Sequence, residues 1–222
     1  MHIESTALTD ETRSVLKNTY ILLSATIGFS ALTCWGGMLM GIGHGVGLVL
    51  WLTSFALLMY MGYSKTFETA KGLPLTFLFT GLTGAGIAPT VSHYVSVGGG
   101  DIVLQALLGT SAIFGILSAY VLNTRKDFSS LRGFLFVALV TALVVVFGSL
   151  IATLFGAPAL PTAISAGLSG LIILIMSGYI LLDTSDVIHG YETNYVRATV
   201  GMYINLLNIF TSLLHLLGLK DD

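Results

Sequence analysis

The chain has 222 residues, of which 55% are hydrophobic and only 9% charged, with a formal net charge of −2. Soluble domains carry about a quarter charged residues, so this composition points to a membrane protein. The slight acidic balance argues against a nucleic-acid partner, which would leave a basic patch.

Residues 1–17 (MHIESTALTDETRSVLK) are polar and of mixed charge. They lack the apolar core and small-residue cleavage site of a secretory signal, and are expected to form a mobile cytoplasmic tail. Residues 18–222 then form a single transmembrane domain. Seven apolar stretches follow in order, at 18–43, 46–63, 72–92, 101–122, 133–154, 161–183 and 199–218. Each is close to the roughly 20 apolar residues that a helix needs to span a bilayer. The first holds the lone Cys34, which has no disulfide partner in the chain, and Gly37 and Gly41, a G-x-x-x-G spacing that suits close helix packing. The third aligns Thr76, Thr80, Thr83 and Thr90 on one stripe, with Pro74 in its first turn and Pro89 placed to break or kink it. Gly98, Gly99 and Gly100 follow as a turn. The sixth carries Thr162, Ser165, Ser169 and Met176 on a seam that runs into Asp183. The seventh gathers Gly201, Asn205, Asn208, Ser212 and His215 on one face. These polar seams mark the inward faces of an all-α, polytopic, seven-transmembrane helical bundle.

The basic residues set the orientation. Arg13 and Lys17 precede the first stretch, Lys65 and Lys71 lie between the second and third, Arg125, Lys126 and Arg132 between the fourth and fifth, and Arg197 between the sixth and seventh. With alternate crossings, eight basic residues fall on one side and Lys220 alone on the other. The positive-inside rule makes the basic side cytoplasmic, with the N-terminus inside and the C-terminus outside.

An acid at bilayer depth costs roughly 2.5–3.5 kcal/mol on insertion scales. Asp183, closing the run GLIILIMSGYILLD, is therefore the leading candidate for function, with Asn205 expected to face it. Asp186 and His189 are expected at the rim or in the loop beyond. His44, His93, His189 and His215 fall at both membrane faces without ligand spacing. Hydrolase and metalloprotease motifs are missing, and a second intramembrane acid for aspartyl proteolysis is lacking, so an enzyme is not expected. No resident cofactor or metal is expected either. No internal repeat supports an inverted-repeat transporter.

The segment DTSDVIHGYETNYVRATVGMYINLLNIFTSLLHLLG (183–218) resembles the C-terminal signature of the Bax inhibitor-1 family. VLKNTYILLSATIGFSALT (15–33), FTGLTGAGIAP (79–89) and SAYVLNTRKDFSSLRG (118–133) resemble its bacterial YccA-like branch of protease modulators. The resemblance covers nearly the whole chain. It singles out the loop residues Val187 to Gly190, Glu192 to Tyr195 and Arg197 to Thr199, among them His189, Gly190, Glu192, Asn194, Tyr195 and Arg197. It implies a bacterial inner-membrane protein that binds an FtsH-type protease, or the prohibitin-like complex around it, and restrains membrane-protein degradation.

The wider family implies an alternative, a pH-sensitive calcium or proton leak with calcium as the transported ion. There two aspartates share a proton and latch to an arginine. Two carboxylates in contact cannot easily both ionise. Asp183 matches the first aspartate, but Asn205 stands at the second position and leaves no charge repulsion to tune. Asp186, Asn208 and Lys65 complete the candidate latch, although a lysine lacks the bidentate fork of arginine.

Overall fold

In the computed structural model, described for residues 9–98 and 100–219, seven helices are long and apolar enough to cross a membrane. They are α1 (Asp10–Leu39), α2 (His44–Tyr63), α3 (Gly72–Gly98), α4 (Gly100–Thr124), α5 (Arg132–Leu154), α6 (Thr162–Ile188) and α7 (Tyr195–Gly218). Short 3-10 turns at Thr66–Glu68 and Ser129–Leu131 complete the regular structure of the described residues. The protein is all-α and polytopic, as the apolar stretches predict.

Two boundaries differ from the sequence expectation. α1 begins at Asp10, because the Thr9 hydroxyl accepts the Thr12 N–H at 3.2 Å and Asp10 and Glu11 fall in the first turn. An N-cap and acidic first turn satisfy the free N–H groups and the helix dipole, so residues 10–17 are helical. Residues 1–8 of that expected tail lie outside the described residues, as does Lys220. At the other end of α1, Gly41 adopts φ +62°, and Ile42 N–H bonds the Gly37 carbonyl at 3.0 Å. Of the G-x-x-x-G pair, only Gly37 packs. A Cβ there would lie 2.8 Å from Ala88 Cβ, whereas one at Gly41 meets nothing. Gly41 instead terminates the helix in the left-handed conformation that glycine adopts freely.

The chain divides into two compact units, Met1–Pro89 with Asp183–Tyr203, and Thr90–Leu182 with Ile204–Asp222. Small residues on α3 hold the first unit together. A Cβ at Gly84 would overlap the Ser30 carbonyl and Thr33 hydroxyl of α1, and one at Gly81 would lie 2.7 Å from the Phe29 ring. Pro89 does not end α3, which continues to Gly98. The Pro89 ring packs on α2, where a Cβ at Gly47 would lie 2.7 Å from Pro89 Cγ. Without a hydrophobic driving force between helices in lipid, such close approach is what holds them. Thr76, Thr80 and Thr83 are buried as expected, each donating to a carbonyl of its own helix at 2.8, 3.2 and 2.7 Å. Thr90, past Pro89, is exposed instead. Back-bonding satisfies a hydroxyl in a medium that offers no water.

The second unit has a conventional apolar core of Ala142, Ile175, Met176, Ile180 and Ile209. Gly178 admits Leu135 from α5, and a Cβ at Gly109 would lie 3.1 Å from Leu213 Cδ1 of α7. The Ser169 hydroxyl and His215 Nδ1 lie 2.9 Å apart, joining the polar seams of α6 and α7. Phe134, Phe136, Val137 and Val144 of α5 stay exposed, the outward apolar face of a lipid-embedded helix.

Candidate functional site

The end of α6 is buried rather than frayed. The helix runs five residues past Asp183, and Thr184, Ser185, Asp186, Val187 and Ile188 are all buried. Asp186 is therefore part of the packed helix and not of the loop. Its carbonyl accepts the Tyr191 and Glu192 N–H groups at 2.8 and 3.0 Å. Gly190, at φ +74°, makes the reversal possible, since a side chain there would be strained. His189 is exposed, with Nδ1 2.9 Å from the Ser185 carbonyl and its ring stacked on Tyr191 at 5.9 Å.

Asp183 is half-buried and presents its carboxylate to α7. A Cβ at Gly201 would lie 3.1 Å from Asp183 Oδ2, so the glycine makes the space that the carboxylate occupies. Asn205, one turn further along α7, is buried. Asn208 is half-buried and donates its Nδ2 to the Ile204 carbonyl at 2.8 Å. Lys65 is exposed, in a left-handed conformation (φ 51°) just ahead of the Thr66–Glu68 turn.

The most elaborate arrangement lies where the α2–α3 connection meets the start of α7. Asn194 is the organiser. Its Oδ1 accepts the Val196 and Arg197 N–H groups at 2.9 and 3.1 Å, capping α7, while its Nδ2 donates to the Phe67 carbonyl at 2.8 Å. One side chain thus starts a helix and ties two loops together. The Glu192 carboxylate accepts the Asn194 N–H at 2.8 Å through Oε1. Arg197 is placed between two acids, with Nη2 3.1 Å from Glu68 Oε1 and Nη1 3.6 Å from Glu192 Oε2. Its guanidinium also lies 5.8 Å from the centre of the Phe67 ring, within cation–π range. Tyr195 opens the helix, and its carbonyl accepts the Thr199 hydroxyl at 2.7 Å.

These residues line an open cleft of about 550 Å3, bounded by Phe67 to Ala70, Leu73 and Glu192 to Arg197. The structure thus brings together the loop residues Glu192, Asn194, Tyr195 and Arg197 that the family resemblance singled out. Glu68 was missed. It is the one acid in the α2–α3 connection, but its partner lies 129 residues away, and no spacing rule reaches that far.

A second cluster was also not foreseen. The Tyr203 hydroxyl of α7 lies 2.7 Å from the Ser30 hydroxyl of α1 and donates to the Thr80 carbonyl of α3 at 3.4 Å. Its ring packs edge-on to Phe79 at 5.7 Å. The Thr199 hydroxyl, one turn earlier, shares its one proton between the Tyr195 carbonyl at 2.7 Å and, as the weaker arm, the Thr19 carbonyl at 3.2 Å. The start of α7 is thereby stitched to α1 by hydrogen bonds at two levels.

The sequence profile described as "Inhibitor of apoptosis-promoting Bax1" matches residues 12–222. The Escherichia coli K12 protein named "Modulator of FtsH protease YccA" is 45% identical over 208 residues, covering 93% of this chain and 90% of that protein. An uncharacterized membrane protein of Vibrio cholerae is 41% identical over 96% of this chain and 92% of its own. A Pseudomonas aeruginosa protein is 38% identical over 96% of this chain and 93% of its own. Matched along almost its whole length, the chain belongs to the Bax inhibitor-1 family.

Proposed function

We propose that the protein is a non-enzymatic inner-membrane modulator of an FtsH-type membrane protease, and that it restrains degradation of other membrane proteins. The similarity to the Escherichia coli modulator over nearly the full length of both chains carries this reading. In this reading the basic connections of the sequence, which carry Arg13, Lys65, Arg125 and Arg197, face the cytoplasm. The clasp around Asn194 then lies on the same side as a cytoplasmic protease.

The packing supports a physical route to restraint. A processive protease must pull helices out one at a time. The glycine-mediated approach of α1 to α3 and the Tyr203–Ser30 bond oppose the withdrawal of α1 alone. A chain that is engaged but slow to extract occupies the protease and spares other substrates. The prohibitin-like complex is proposed as a second partner in the same assembly.

The test is affinity isolation of the tagged full chain from native membranes, with the half-life of a known membrane substrate of the protease followed in parallel. Co-isolation of the protease, and a longer substrate half-life when the chain is overproduced, are expected. Absence of the protease together with an unchanged half-life refutes the reading.

A further inference from the structure

We infer that the cleft beside Asn194 is a docking site for a short peptide segment of a partner protein, one that sets a lysine or arginine next to an apolar side chain. The inference rests on the proposed function and names the surface through which a partner engages. At about 550 Å3, the cleft lies within the range of ligand pockets, roughly 300–1,000 Å3. Its apolar lining includes Phe67 and Val196, both buried, with Leu73 and Tyr195 beside them. This lining suits an aliphatic or aromatic side chain.

Charge selects the rest of the ligand. Among the lining residues two carboxylates, Glu68 and Glu192, face one cation, Arg197. Glu192 is less exposed, its side chain 20% accessible, with Oε1 accepting the Asn194 N–H and Oε2 3.6 Å from Arg197 Nη1. Glu68 differs. Its side chain is 57% exposed, and Arg197 takes Oε1 while Oε2 accepts no hydrogen bond among the described residues. An incoming ammonium or guanidinium therefore finds an open carboxylate acceptor in Glu68 Oε2, within a lining of two acids and one cation. A phosphate finds the reverse, since the cleft's cation is already shared between two acids. This disfavours a phospholipid headgroup and a phosphorylated segment alike. The walls are also held in place before any ligand arrives. Asn194 bonds the Phe67 carbonyl, and a Cβ at Gly72 would lie 3.0 Å from the Thr66 carbonyl. A site formed in advance spares the partner much of the ordering cost of binding.

The experiment uses the full chain in phosphatidylcholine nanodiscs and two photo-crosslinking tripeptides, acetylated and amidated. Both carry benzoylphenylalanine and leucine, with lysine between them in one and glutamate in the other. The lysine peptide is expected to crosslink within residues 67–73 and 192–197 and to bind about fivefold more tightly than the glutamate peptide. That factor is the scale of one partly exposed ion pair. Glu68→Gln should erase the preference and Glu68→Lys reverse it, while Lys126→Glu in the α4–α5 connection leaves it unchanged. Equal crosslinking of both peptides, or a preference untouched by Glu68→Lys, overturns the inference. So does loss of crosslinking when phosphatidylethanolamine is added, which would make a lipid amine the occupant.

Co-isolation separates this inference from the broader one. If the protease is retained by the unmodified chain and equally by Glu68→Lys, the cleft is not its docking site, yet the modulator reading stands. If the lysine peptide binds but no protease is retained and the substrate half-life is unchanged, the modulator reading falls and the peptide site remains.

Discussion

Replacing Gly84 by alanine tests the claim that α3 is held to α1 by direct backbone approach. The added methyl would overlap the Ser30 carbonyl and Thr33 hydroxyl and lie 2.7 Å from Ser30 Oγ. Ordinary contact begins near 3.4 Å, so even the hydroxyl must retreat by about 0.7 Å, and the carbonyl belongs to helix backbone that cannot rotate aside. Overpacking of this kind costs about 1–3 kcal/mol. Displacing Ser30 also weakens its bond to Tyr203, worth about 1 kcal/mol, while alanine returns about 1 kcal/mol of helix propensity. The net expectation is a loss of about 2 kcal/mol. Gly28→Ala is the control, since a Cβ there meets nothing within 4 Å. It should be neutral or stabilising. Unfolding by sodium dodecyl sulfate in mixed micelles, followed by fluorescence of Trp35 and Trp51 on α1 and α2, reads both variants. If Gly84→Ala is as stable as the unmodified chain, or Gly28→Ala loses as much, close approach is not what joins these helices.

Three further outcomes are expected. Asn194→Ala should lower stability by about 1–2 kcal/mol through loss of the α7 cap, whereas Asn194→Asp keeps the cap, loses the donor to Phe67 and should cost less in the same titration. A reporter fused after Asp222 should read as external and one inserted near Lys126 as cytoplasmic; a cytoplasmic C-terminus would refute the orientation. Calcium flux into liposomes should be weak at neutral pH and more pH-sensitive in Asn205→Asp, while Asp183→Asn should fold normally, because an amide keeps a hydrogen bond without a buried charge. Robust flux from the unmodified protein, abolished by Asp183→Asn, would restore the leak reading.

What was legible in the sequence was what depends on short-range pattern. Apolar length placed all seven helices to within a few residues at most ends, because a bilayer imposes that length directly. The α1 start at Asp10 could also have been read, since Thr9 followed by Asp10 and Glu11 is an N-cap signature, but the apolar run drew the boundary to residue 18. Burial of Thr184, Ser185 and Asp186 was not legible. Such residues ordinarily mark a helix leaving for water, and only tertiary packing makes them interior. Nor could the sequence rank its glycines. Gly28 and Gly84 both sit within long helices, yet one borders open space and the other the backbone of α1. Arg197 and Glu192 lay within one recognisable motif, while Glu68 needed the fold to bring it near.

The makeup of the first unit has a consequence during synthesis. Its early part ends at Pro89, and the segment that completes it begins at Asp183. At roughly 5–20 residues per second, the ribosome needs on the order of 5–20 s to make the intervening chain. For that interval α1, α2 and the first part of α3 sit in the membrane with the place of Tyr203 empty. Thr76 and Thr83 already satisfy their hydroxyls within α3, so they can wait in lipid at little cost. The Ser30 hydroxyl gains its 2.7 Å contact only when α7 arrives. A chain interrupted before α7 would leave that polar position unfilled, and an incomplete copy would differ chemically from a finished one at the point where the last helix closes on the first.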